Sequence, residues 1–200
     1  MRYPDFFDDL EKIVIKDDLA EVLGAFEEGV VEFGYLDVVK SAGHSCPTVA
    51  GAYLMIKEGL KEFSEPKRGE IEAYLKDDVS AGVTGVVGNV ISQILGATKD
   101  NGFHGLAGRF DRRGLMHFNS NIESSMRLKS QKEGKVVDIY YNPNAIPPSE
   151  RLSQLMQKVV GQNASKEEQA EFKKLWQKRV CEILNSPSEV VRINSFSKRD

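Results

Sequence analysis

The alternation of apolar and polar positions predicts a largely helical first third of the chain. Residues 5–12 have the spacing of a short amphipathic helix, and a second helix is predicted at about 18–28. The stretch 30–43 contains a helix that ends at Gly43, because glycine commonly follows the last residue of a helix. Residues 47–63 form a helix that is apolar on nearly every side in its first half, so we expect it to be buried.

A strand and a glycine-bearing helix are predicted next. Residues 69–76 alternate apolar and charged side chains, which is typical of a half-buried strand. Residues 81–98 are apolar over a helical length and carry Gly82, Gly85 and Gly88 near one face. Each internal glycine costs about 1 kcal/mol of helix propensity relative to alanine. We therefore expect close packing at this face or, alternatively, the approach of a ligand or a second copy of the chain.

The remaining pattern predicts strands followed by two helices. The strands are expected at 105–111, 114–121, 125–130 and 135–142, and the turn QKEG joins the last two. A helix at 149–161 is followed by Ser165 and Glu168, which form a capping box at the start of a further helix. The polar residues 186–200 are interpreted as an arm or tail.

These elements predict an α+β fold. The order is helix–strand–helix–three strands, with helical extensions at both the N-terminal and C-terminal ends. A length of 200 residues and a mass of 22.3 kDa suit one domain, or one domain with a small appendage. We divide the chain into a domain of residues 1–150 and a C-terminal helical extension and tail of residues 151–200.

Composition and charge exclude several classes of protein. The net charge of −3 argues against a nucleic-acid partner, because phosphate binding requires a concentrated basic face. No apolar run approaches the roughly 20 residues of a membrane span. The acidic N-terminal sequence lacks the apolar region of a secretory signal. Two cysteines do not make a disulfide framework, so we expect a cytoplasmic protein that binds no membrane.

The segment SAGHSCPTVAG, residues 41–51, holds the strongest chemical signal. Cys46 occupies or adjoins the N-cap of the buried helix, where unpaired amides and the helix dipole favour a thiolate. His44 lies two residues earlier in a connection that is not helical, so its side chain can point to the same side as Cys46. Pro47 stiffens the turn. Two such donors make half of a metal site.

The other half of a metal site must come from elsewhere in the chain. His104 lies in the glycine-flanked loop NGFHG, and His117 lies in a predicted strand. We take His104 as the third ligand and His117 as the alternative. Imidazole and thiolate suit Zn²⁺, with Fe or Ni as further options. Three protein ligands leave one coordination position open for water or substrate.

Two other hypotheses explain the same residues. Cys46 can act as a nucleophile with His44 as its base, in a thiol protein that contains no metal. Alternatively, His44 and Cys46 have only structural roles, His104 is a solvated loop residue and His117 faces solvent from its strand. Cys181 lies on the last predicted helix and is expected to take no part.

The segment GHSCPTVAGAYLM, residues 43–55, resembles the GHxCPxxAxG motif of the FmdE-like family of formylmethanofuran dehydrogenase proteins. The resemblance extends over about residues 30–140, where NVISQILGAT loosely matches a second family landmark. It implies a compact α+β domain with a small mixed sheet, for which we take residues 1–150. It also implies a metal, usually zinc, at His44 and Cys46, and a homodimer. The function implied is that of a metal-dependent enzyme or an accessory protein in one-carbon metabolism.

The sequence departs from the family pattern in two places. Members often carry cysteines around the second helix of the domain, where this chain has Val86 and Ala97. Many members also carry a C-terminal cysteine-rich zinc ribbon, whereas the last fifty residues here contain only Cys181. Ligands from that second helix are therefore in doubt, and His104 is our own inference from the types of donor available.

Overall fold

The structure is a computed structural model that describes residues 1–197, and it has the predicted α+β architecture. The helices in this part of the chain are α1 (Asp18–Val22), α2 (Tyr35–Ala42), α3 (Pro47–Leu60), α4 (Thr84–Leu95), α5 (Glu150–Val160), α6 (Lys166–Asn185) and α7 (Pro187–Val190). The strands are β1 (Ile13–Lys16), β2 (Val30–Phe33), β3 (Ile71–Tyr74), β4 (His104–Leu106), β5 (Arg109–Asp111), β6 (Met116–His117), β7 (Met126–Ser130), β8 (Lys135–Tyr141) and β9 (Val191–Ser197).

A five-stranded sheet in the order β6–β3–β7–β8–β9 forms the centre of the molecule. β6 pairs parallel to β3 and the other neighbours pair antiparallel, so the sheet is mixed, as predicted. α3 packs against one face of this sheet, where Gly59 lies against Ile139 and Leu128. α2, α4 and α6 surround the other sides of α3. The prediction that this helix is buried on most sides is confirmed.

The glycines of α4 allow close packing, which was the first of the two interpretations. A Cβ on Gly85 would lie 2.9 Å from the carbonyl oxygen of Val79, and one on Gly88 would lie 3.1 Å from Phe118 Cζ. Both distances are shorter than ordinary van der Waals contacts. The neighbouring backbone and aromatic ring therefore fill the space that larger side chains would need.

The N-terminal predictions were wrong in detail. Residues 5–12 contain only a 3-10 turn, Asp5–Phe7, and the second predicted helix is limited to α1. β1 and β2 form an antiparallel two-stranded sheet that we did not predict. The physical reason lies in a period of two: Ile13 and Ile15 point into the core while Val14 and Lys16 are exposed.

The C-terminal tail was also predicted wrongly. β9 pairs antiparallel with all seven residues of β8 and completes the sheet. Its inward residues, Val191 and Ile193, pack against the core, whereas the residues between and after them are polar or exposed. Residues 198–200 of the predicted tail lie outside the described part of the chain. The strand expected at 105–111 is the hairpin of β4 and β5.

The apolar residues of α6 lie in the same core as the sheet. Val180 and Ile183 are fully buried there, beside residues of α3. No helix within residues 1–197 combines the length and the apolar character needed to cross a membrane. The division of the chain at residue 150 remains a prediction.

Candidate functional site

The site predicted from the His-Ser-Cys segment lies in the connection between α2 and α3. α2 ends at Gly43, which has a φ of 75° and donates its N–H to the Val39 carbonyl oxygen at 2.9 Å. A left-handed conformation at this position favours glycine. Cys46 is the N-cap of α3, and Pro47 is its first helical residue. The tight connection and the start of the helix are as predicted.

His44 has one ring nitrogen engaged and the other available. Its Nδ1 lies 3.0 Å from the Ala42 carbonyl oxygen, and the side chain is exposed. Because a carbonyl oxygen can only accept, Nδ1 carries the proton and donates it. Nε2 therefore keeps its lone pair, which is the arrangement found in histidines that bind metal ions.

Cys46 presents its sulfur at the N-terminus of a 14-residue helix. The Val49 amide donates to Cys46 Sγ at 3.5 Å, and the side chain is half-buried. An amide donor and the positive end of the helix dipole both stabilise negative charge on the sulfur. Cys46 is accordingly suited to binding a metal ion or to attacking an electrophile.

Ser45, between the two candidate ligands, is held by residues far away in the sequence. Trp176 Nε1 donates to the Ser45 carbonyl oxygen at 2.9 Å, and Gln177 Nε2 donates to the same oxygen at 3.3 Å. The Ser45 hydroxyl donates to Gln177 Oε1 at 3.0 Å and accepts from the buried Tyr35 hydroxyl at 3.0 Å. Sequence reasoning did not find these supporting contacts, although it placed Trp176 in the apolar stripe of α6.

Tyr141 supports the first turn of α3 from the sheet. Its hydroxyl donates to the Pro47 carbonyl oxygen at 2.6 Å. The ring lies directly against Gly51, where any Cβ would overlap it. Burial raises the pKa of Tyr141, and it also raises the pKa of Tyr35. Both phenols therefore remain protonated at neutral pH and act as hydrogen-bonding supports rather than as bases.

The structure does not bring His104 to His44 and Cys46. His104 is exposed on β4, opposite Asp111. Within residues 1–197, no group of three or more His, Cys, Asp and Glu side chains is arranged to hold a metal ion. His44 and Cys46 fit a metal as two ligands, and the described chain supplies no third one beside them.

The remaining candidate residues have other neighbours. His117 stacks on Tyr74 with ring centroids 4.3 Å apart, and its Nε2 lies 3.6 Å from Glu72 Oε2. Cys181 is a free thiol on α6, and the Asn185 side-chain amide lies 3.3 Å from its sulfur. Neither arrangement points to the connection between α2 and α3.

Comparison with known proteins gives a family and one solved structure. A family model described as "FmdE, Molybdenum formylmethanofuran dehydrogenase operon" matches residues 42–192. A crystal structure of an FmdE-like protein of tungsten formylmethanofuran dehydrogenase from Syntrophus aciditrophicus is similar at 13% sequence identity and a TM-score of 0.47. The similarity covers 84% of this chain and 74% of that one. No curated protein sequence matches the chain.

Proposed function

The chain belongs to the FmdE family, and from this premise we propose that it is a metal-binding protein whose His44 and Cys46 hold a zinc ion. Fe and Ni are the alternative metals. The observation that supports the proposal best is the hydrogen bond from His44 Nδ1 to the Ala42 carbonyl oxygen, which leaves Nε2 free. Cys46 adds a sulfur whose charge is stabilised by the start of α3.

The rest of the coordination sphere comes from outside this pair. Zinc in proteins usually has four ligands. We propose that His104 supplies the third, either after movement of the β4–β5 hairpin or from the second chain of a homodimer. Such a zinc ion, with one position open, supplies a Lewis acid that polarises a carbonyl group or activates water. We propose a role as a metal-dependent enzyme or an accessory protein in one-carbon metabolism, located in the cytoplasm, where free cysteines such as these persist.

Metal analysis of the purified chain tests the proposal. We expect about one zinc ion per chain in the wild-type protein and loss of that metal in His44→Ala and in Cys46→Ala. Cys181→Ala is the matched control for the thiol, and His117→Ala is the matched control for an imidazole. Both controls should retain the metal. Retention of metal in His104→Ala would remove His104 from the site without affecting the His44 and Cys46 assignment.

Two results would contradict the metal proposal. One is wild-type protein that contains no stoichiometric metal and takes up none from added zinc. The other is a metal content that is unchanged in both His44→Ala and Cys46→Ala. X-ray absorption at the metal edge adds a direct check, because it should report both nitrogen and sulfur neighbours.

A thiol protein without metal is the second candidate, and the Val49 amide directed at Cys46 Sγ favours it. In this case Cys46 is the nucleophile and the free Nε2 of His44 is its base. The rate of alkylation of Cys46 by iodoacetamide, measured in chelator-treated protein, tests it. A fast reaction that slows in His44→Ala supports the thiol function, whereas a rate equal to that of Cys181 contradicts it.

A further inference from the structure

A cavity of about 400 Å³ opens between α3, α4 and the residues that follow β3. Its volume falls in the range of roughly 300–1,000 Å³ that is typical of small-molecule sites. The wall residues that matter here are Thr48, Met55, Leu75, Val83, Thr84 and Val87. His44 and Cys46 do not line it, although Thr48 is only two residues beyond Cys46. The cavity is thus distinct from the proposed metal ligands.

The body of the cavity is apolar. Met55, Leu75 and Val87 are buried and form its inner wall. Val83 lies at the start of α4 with 55% of its surface exposed. A ligand with an apolar body would cover these side chains and remove their surface from water, which is favourable.

Two hydroxyl groups are the unused polar groups of the wall. Thr48 lies in the first turn of α3, and Thr84 is the first residue of α4. Within residues 1–197 neither side chain makes a hydrogen bond to another protein group, whereas Ser124 and Ser125 do, to Asp138 and to the Tyr141 amide. The two threonine hydroxyls can therefore donate to, or accept from, a ligand.

The charges around the cavity disfavour an anionic ligand. Lys76, Asp77 and Glu123 are exposed and line it, and Lys76 Nζ lies 3.8 Å from Glu123 Oε2. Two carboxylates therefore face one ammonium group. A phosphate or carboxylate at this position would meet a net negative charge.

We propose that this cavity binds an uncharged small organic molecule with an apolar body and one carbonyl or hydroxyl group, which bonds to Thr48 and Thr84. The apolar wall gives the affinity, and the two hydroxyls orient the polar end of the ligand. This binding does not require a metal ion at His44 and Cys46. It is therefore tested separately from the proposed function.

The uncharged fluorophore prodan, which has an apolar naphthalene body and one ketone, is the probe. We expect saturable binding of one prodan per chain, with the blue-shifted emission of an apolar site. Val83→Trp should weaken it by about tenfold or more by filling the cavity, while Val160→Trp should leave it unchanged. Val160 is the matched control, since it is 74% exposed at the end of α5 and does not line the cavity. Thr48→Val and Thr84→Val should each weaken binding about three- to tenfold, as the loss of one neutral hydrogen bond does.

Methyl NMR of methionine-labelled wild-type protein locates the probe without any substitution. The chain has five methionines, and Met55 is the one in the lining of this cavity. Prodan should shift the Met55 methyl signal and leave those of Met126 and Met156 in place. The proposal is overturned if prodan does not bind, if it binds equally well to Val83→Trp, or if Met55 is unaffected. It is also overturned if the anionic fluorophore anilinonaphthalene sulfonate binds the same site more tightly than prodan.

Discussion

Asp17 is a single carboxylate that balances two arginines in the interior. It is 2% exposed and accepts from Arg112 at 2.6 Å and from Arg68 at 2.8 Å. It also accepts from the Leu19 and Ala20 amides, which caps α1. Burial alone raises the pKa of Asp17, but the hydrogen bond from Arg68 and the charge of Arg112 outweigh burial and hold that pKa below its ordinary value.

Removing this one charge should destabilise the whole protein. Asp17→Asn leaves Arg68 and the buried Arg112 without their counter-charge, and we expect a loss of about 3 kcal/mol in the free energy of unfolding. Urea denaturation measures it. Glu32→Gln is the matched control, because its pair with Lys12 is more than half exposed on both sides and should contribute less than about 1 kcal/mol. Equal effects of the two substitutions would contradict this role of Asp17.

The lowered pKa of Asp17 also predicts a pH dependence. A carboxyl whose folded pKa lies below its unfolded pKa stabilises the protein fully above the unfolded value, and that contribution is lost as pH falls through the folded value. Urea midpoints of the wild type should therefore decrease between about pH 5 and pH 2, and those of Asp17→Asn should decrease less steeply. Parallel curves for the two proteins would show that other groups control acid unfolding.

Among the elements, α6 fixes the connection that carries the candidate site. It runs from Lys166 to Asn185, and its Trp176 and Gln177 side chains bond to Ser45 across 131 and 132 positions of sequence. The helix thus contributes to the site without supplying a ligand. It holds the backbone on which His44 and Cys46 are placed.

Trp176→Phe should loosen this connection while preserving most of the packing. The loss of the indole N–H to the Ser45 carbonyl oxygen should reduce stability by about 1 kcal/mol. Amide hydrogen exchange in residues 43–46 should become faster. Phe172→Leu, on the same helix and beside Trp176, is the control that should leave this exchange unchanged. Unchanged exchange in Trp176→Phe would mean that α6 does not fix the connection.

Long, strongly periodic elements were predictable from the sequence, whereas short edge strands were not. The buried helix α3 and strands β7 and β8 follow from their apolar patterns. In the four-residue strand β1, two inward isoleucines do not distinguish a strand from a helical turn. In β9 the alternation ends after Ile193, so polarity suggested a tail.

The site was predictable to the same local extent. The position of Cys46 at the start of a helix follows from Gly43, Pro47 and the apolar run. The contacts of Ser45 with α6 are not encoded by any local pattern, because they join segments more than one hundred residues apart. For the same reason, proximity of His104 to the pair was an inference from donor type alone.

At the scale of the whole molecule, one core joins the N-terminal and C-terminal parts of the chain. Tyr35, Tyr53, Ile139 and Ile183 are all fully or almost fully buried in it. β9 pairs with β8 along the central sheet. We therefore expect the chain to unfold as one cooperative unit, although residues 151–200 follow the predicted domain.

Trp176 offers a direct test, because it is the single tryptophan and lies on α6. Its fluorescence reports on the C-terminal part, while far-UV circular dichroism reports on the whole chain. The two urea transitions should coincide, and Ile183→Ala should shift both by an equivalent of about 2–5 kcal/mol. A fluorescence transition that precedes the circular dichroism transition would indicate that the C-terminal part unfolds separately.

The late position of β9 has a consequence for synthesis on the ribosome. β8, with the sequence KVVDIYY, must wait for its partner strand until about fifty more residues have been translated. At about 5–20 residues per second, the edge of β8 stays unpaired for roughly three to ten seconds in each nascent chain. An unpaired strand rich in β-branched and aromatic residues is a place where nascent chains aggregate. The demand of this protein for chaperones should therefore be greatest during this interval of its translation.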